Sequence, residues 1–214
     1  MSAVPSAIAR DVEVPGTEAP RLAPKAACYF FVVAAVTIAI AIPLLSHLSL
    51  HTPGWATFLI LGGIAAVAQL FVVRTPRNQS YHTTIVFLIP AAMLLPPELV
   101  VLMGVVQHIP EWLKNRSAWY IEIFNICNWT LSMMAAYAAF HGILRVAPAS
   151  DVEYAVAGLS AAAAMVAVNH LLMAPMLHLA RGHSLRESGL FSFPSLSTDL
   201  VLAMLGVAMA AFWA

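Results

Sequence analysis

The chain has 214 residues, of which 61% are hydrophobic and 9% charged, with a mean hydropathy of +0.85 and a formal net charge of zero. A soluble domain carries roughly 25% charged residues, so this composition describes an integral membrane protein whose partner is the lipid bilayer. With no basic patch it excludes nucleic acid as a ligand.

Residues 1–24, with four prolines and no apolar periodicity, are expected to form a disordered cytoplasmic tail ahead of a helical membrane domain over 25–214. They lack the basic start and apolar core of a secretory signal. Ala26–Leu50 is a first full span, with Pro43 as a kink and Cys28 as a buried thiol. His47 and His51 fall at its outer rim, four apart on what would be one helical face. Pro53–Val73 returns inward, with Trp55 as a belt aromatic and Arg74 and Arg77 as the inner stop. Gly62 and Gly63 permit close helix approach, and Gln69 is suited to an interhelical hydrogen bond.

The next stretch governs the threading. Tyr81–Arg116 holds two apolar runs separated by Pro96-Pro97, and each is short for a hydrocarbon core that takes about 20 helical residues. Proline removes a helix hydrogen bond and pushes its predecessor out of the helical region. Two in succession therefore mark a turn between short helices over Thr83–Leu95 and Glu98–His108, with Pro97 opening the second and Glu98 in its first turn. The ten basic residues support this: nine lie inside and only Arg145 outside if the stretch turns back, against six and four for a single crossing. Glu98 is then either a helix-start carboxylate or a cavity acid, with His47, His51 or an external ligand as its candidate partner.

His108, Glu111, Trp112, Lys114 and Arg116 read as an inner interfacial segment that leads into Trp119 and Tyr120. Trp119 to about Leu144 runs outward and carries Cys127 as a second buried thiol. On it Glu122, Asn125 and Asn128 recur every three residues, on a face that must avoid lipid. Val152–Ala180 returns inward with Asn169, His170, Pro175 and His178 in its second half. Arg181, His183, Arg186 and Glu187 form an inner loop, and Leu196–Ala214 is a last outward span with Asp199 near its start. The chain stops inside an apolar helix, which suggests a fragment of something longer. The expected fold class is an all-α polytopic membrane bundle, five long spans plus a short broken-helix hairpin, with its N-terminus in the cytoplasm.

The order PPELVVLMGVVQHIPEWLKNR, WYIEIFNICNWTLS and LSTDLVLAMLGVAMA resembles the membrane input region of bacterial signalling proteins that carry a cytoplasmic GGDEF diguanylate cyclase or HD-type phosphodiesterase domain. The resemblance spans about Arg74 to Ala214. It implies a sensor in the bacterial inner membrane, tied to cyclic di-GMP signalling, whose catalytic residues lie beyond this chain. This chain itself is then no enzyme.

His108-x-x-Glu111 offers two ligands where a catalytic zinc takes three. No G-x-S-x-G elbow, Walker loop or dinucleotide fingerprint is present. His141, His170 and His178 are candidates for a bis-histidine haem, set against ordinary interhelical hydrogen bonding, so the cofactor stays unknown. Two function classes follow. In one, a cavity lined by Glu98, Glu122, Asn125, Asn128, Asn169 and His170 binds a small-molecule ligand or a proton and signals to a cytoplasmic output. In the other, the chain is the substrate-binding subunit of a vitamin-type uptake transporter, since broken helices around a polar midplane site suit transport. Pairing of two copies through their membrane helices fits either class.

Overall fold

The computed structural model describes residues 22–71, 73–74, 80–81, 83–146, 150–182 and 184–213. The expected tail through Arg21, with Arg77 and His183, lies outside the described residues.

The core is built on the proline turn. Helices α3 (Ile85–Leu94) and α4 (Pro97–Val106) form the expected hairpin, with Leu95 and Pro96 extended between them and Pro97 at the first position of α4. Prolines suit an apolar turn because neither has an N–H that would need a partner. The carbonyl of Pro96 accepts from the amides of Leu99 (3.0 Å) and Val100 (3.1 Å), so the turn's acceptor is also satisfied. Ten residues of helix span about 15 Å, half the thickness of a hydrocarbon core. Leu88, Ile89, Ala91, Ala92, Leu99, Val100 and Met103 are all completely buried, while Val105 of α4 is exposed, so most of the hairpin is enclosed by protein.

Long helices enclose it. These are α1 (Pro24–Leu45), α2 (Trp55–Ala68), α6 (Trp119–Val146), α7 (Asp151–Arg181) and α9 (Phe193–Trp213), with two short segments, α5 (Ile109–Asn115) and α8 (Leu185–Ser188). Residues Val73–Arg74 (β1) and Ser80–Tyr81 (β2) make a two-residue antiparallel clip between α2 and α3. The fold is thus helical, and α1, α7 and α9 are each long and apolar enough to cross a bilayer. The expectation of five long spans meets two differences. Helix α2 has 14 residues instead of the expected 21, about 21 Å of rise, and ends before Gln69, whose side chain hydrogen-bonds Glu111 of α5. Helix α6 has ample length at 28 residues, yet its polar residues keep it out of that apolar class.

Contacts across the bundle define two ends. At one, Tyr29 Oη donates to the Leu172 carbonyl (2.9 Å), Phe30 stacks edge-on against Trp119, and Lys114 Nζ donates to the Leu70 carbonyl (3.2 Å). This end collects the start of α1, the end of α2, α5, the start of α6 and the last turns of α7. At the other, Gly54 packs against Leu95 and Pro96, Phe140 against Tyr154, and Gly158 against Met93 and Val207. Gly54 starts α2 at φ 93°, a left-handed conformation that glycine adopts without strain. The long helices therefore alternate in direction, and α3 and α4 go halfway and return.

The exterior is apolar. Phe31, Val32, Ile38 and Ile42 of α1, Leu59 and Val67 of α2, and Val201 and Leu205 of α9 are exposed. Cys28 is exposed on α1, contrary to the expectation of a buried thiol, whereas Cys127 is buried. His47 and His51 are exposed and lie in the α1–α2 turn, so they do not share a helical face.

Inside, small residues set the helix spacing. A methyl group added at Gly104 of α4 would lie 3.1 Å from the Thr130 Cα of α6, and one at Gly206 of α9 would lie 2.9 Å from the Val86 carbonyl of α3. Both neighbours are backbone atoms that cannot swing away. Gly104→Ala and Gly206→Ala are each expected to destabilise the detergent-solubilised protein by about 1–3 kcal/mol, measured by thermal unfolding. Gly63→Ala, whose added methyl meets nothing within 4 Å, should unfold like the parent.

Candidate functional site

Helix α6 places the polar residues. A step of three residues turns the helix about 300°, so Glu122, Asn125 and Asn128 sweep through about 120° in two steps. The expected single face is therefore a spiral. Glu122 points toward α5, half-buried Asn125 lies between, and Asn128 points toward α7. Both ends of the spiral are inside the protein, with Glu122 6% and Asn128 0% exposed.

At the α7 side, Asn128 Nδ2 donates to Asn169 Oδ1 at 2.5 Å. The adjacent His170 is 2% exposed. Its Nδ1 lies 2.8 Å from the Val166 carbonyl, which can only accept, so Nδ1 carries a hydrogen. Its Nε2 faces Asp199 Oδ2 of α9 at 3.4 Å, and Phe191 packs 5.8 Å from the ring. The sequence places Asp199 near the start of an apolar helix, but only the structure pairs it with His170. A row of polar groups thus joins α6, α7 and α9.

At the α5 side a second cluster forms. His108, 1% exposed, has Nδ1 4.0 Å from Glu111 Oε2 and 4.0 Å from Glu122 Oε2. Glu111 Oε2 also accepts from Gln69 Nε2 of α2 at 2.5 Å, and its Oε1 from Asn115 Nδ2 at 3.5 Å. Glu122 Oε1 accepts from the Ser117 hydroxyl at 2.5 Å. Among the described residues, Glu122 Oε2 and both amide atoms of buried Gln107 have no hydrogen-bond partner. Sequence reasoning placed His108 and Glu111 at the interface, and missed that α6 returns Glu122 onto them.

The structure does not bring all six expected ligand residues together. Glu98 sits half-buried in the first turn of α4, with Tyr137 of α6 as an electrostatic neighbour. Ten residues of helix, about 15 Å, separate it from His108 at the other end of α4. A single cavity from Glu98 to His170 is therefore replaced by separate polar groups at different depths. The haem candidates also part: His141 hydrogen-bonds the Ala92 backbone, His170 faces Asp199, and His178 is exposed. Among the described residues no three His, Cys, Asp or Glu side chains form a set able to hold a metal ion. The chain matches no protein-family model, no curated protein and no solved structure.

The Asn128–Asn169 bond can be measured on its own. Interhelical side-chain hydrogen bonds in membrane proteins contribute about 0.6–1.7 kcal/mol. A double-mutant cycle of Asn128→Ala, Asn169→Ala and the pair, read by unfolding in detergent, is expected to return a coupling in that range.

Proposed function

We propose that this chain is a membrane-embedded input module that responds to protonation and passes the change to a cytoplasmic output. The observation that carries the reading is the buried His170–Asp199 pair, 3.4 Å apart and joining α7 to α9. Ionisable side chains inside a membrane bundle are costly and mark proton or ion function. Among side chains at ordinary pKa, only histidine changes charge near neutral pH. The pair attracts most strongly where the carboxyl has lost its proton and the imidazole keeps its own. Protonation of Asp199 removes that attraction. That event loosens α9 against α7. The resemblance to input regions of cyclic di-GMP signalling proteins supports the same reading, with the output domain outside this chain.

In this reading α1, α2, α6, α7 and α9 are five spans of a bacterial inner membrane, α3–α4 is a half-depth hairpin, and the end holding α5 is cytoplasmic. That orientation follows from Lys25, Lys114, Arg116 and Arg181 near that end and Arg145 near the other. With cysteines introduced into a Cys28→Ser background, an impermeant thiol reagent added to intact cells should label Ser150→Cys. Asn115→Cys and Ser184→Cys should react only after the membrane is opened. External labelling at 115 would overturn the orientation.

The response itself is read by spin labels at Leu171→Cys on α7 and Val201→Cys on α9, both exposed positions. In lipid nanodiscs the distance between them is expected to change between about pH 5 and 8, and Asp199→Asn or His170→Gln should abolish the change. A distance independent of pH in the parent protein would reject the reading. Accumulation of a solute by liposomes carrying the chain would favour a transport subunit instead.

A further inference from the structure

We infer that Glu122 Oε2 is a proton-binding site at the α5 end of the bundle, separate from the His170–Asp199 pair. The inference deepens the proton-responsive reading and rests on it only for its physiological purpose.

The argument begins with charge. Among the described residues His108 is the one group able to carry positive charge within ion-pair reach of Glu122, and it also faces Glu111 at the same 4.0 Å. Lys114 on α5 is exposed and donates to the Leu70 carbonyl. Glu111 is the other ionisable group that acts on Glu122, by repulsion. Helices α1, α3, α4 and α7 also pack on α6, and among the described residues their bodies bring no ion-pair partner to Glu122. Even a protonated His108 against two carboxylates leaves one negative charge unmatched in a site from which water is largely removed. An unmatched buried charge is costly, and like-charged carboxylates sharing a site are relieved when one binds a proton.

Hydrogen bonding then decides which carboxylate takes it. Both oxygens of Glu111 accept from amides, Gln69 Nε2 on Oε2 and Asn115 Nδ2 on Oε1. Glu111 therefore has a donor on each oxygen. Glu122 has only Oε1 occupied, by Ser117. Its Oε2 is buried and has no hydrogen-bond partner among the described residues. A proton arriving as hydronium bonds to Oε2, the hydronium O–H breaks, and a water molecule leaves. The cluster loses one negative charge. The charge attraction between Glu122 and His108 is then lost, and the start of α6 is no longer drawn toward it.

The test uses the full chain in nanodiscs and the proton itself as probe. Infrared difference spectra across a pH titration should contain the carbonyl stretch of a protonated, water-poor carboxylic acid. Glu122→Gln should remove that band, while Asp199→Asn and Glu111→Gln should keep it. A band that survives in Glu122→Gln, or is missing from the parent, overturns the inference. Should Glu122→Gln fail to fold, Ser117→Ala retains the carboxyl and removes the donor to Oε1, and must then shift the band's frequency; an unshifted band also overturns it. The two readings separate cleanly. Loss of the inter-helix distance response in Asp199→Asn tests the input function, whereas the infrared band tests only Glu122.

Discussion

A backbone turn buried in an apolar interior is the constraint on which this structure depends. A chain that reverses at half depth must leave its turn without water, and unpaired backbone donors there cost several kcal/mol each. Pro96 and Pro97 remove two donors outright, and the Pro96 carbonyl is taken up by the first turn of α4. The penalty that remains is met by protein contact, which explains why the hairpin is the most completely buried part of the chain. Helices α2, α6 and α9 are needed around it, since lipid could not satisfy the turn.

The close helix approaches follow from the same constraint. Two helices of ten residues offer little surface, and in lipid there is no hydrophobic drive to hold them. Contact must therefore come from tight packing. Gly104 lets α4 reach the Thr130 backbone, and Gly206 lets α9 reach the Val86 carbonyl. The interior is small and dense while the exterior carries Phe31, Ile38, Ile42, Leu59 and Val201. That arrangement suits a lipid solvent, where large apolar side chains need no shelter.

The polar groups are distributed by the helical period of α6. Because a three-residue repeat falls short of a full turn, one helix can serve two neighbours: Glu122 meets His108 and Asn128 meets Asn169. The resulting groups lie at different depths and meet different ionisable partners, His108 with Glu111 at one level and His170 with Asp199 at another. The expected single cavity is thereby divided into separate groups.

The sequence by itself determined the apolar, helical character of the chain, the reversal at Pro96-Pro97 and the burial of Glu122 and Asn128. These are properties of local chemistry: proline geometry, apolar run length, and the cost of a carboxylate in hydrocarbon act within a few residues. It misjudged the length of α2, the exposure of Cys28 and the company of Glu98, because each depends on which neighbour covers a given face. Helix α2 stops where Gln69 turns to Glu111, 42 residues away, and no pattern within the helix announces that partner. The pairing of His170 with Asp199 and of His108 with Glu122 was decided only by the tertiary structure. Periodicity tells that a polar residue must find a partner away from lipid, but the partner's identity follows from how α5, α6, α7 and α9 pack around the hairpin.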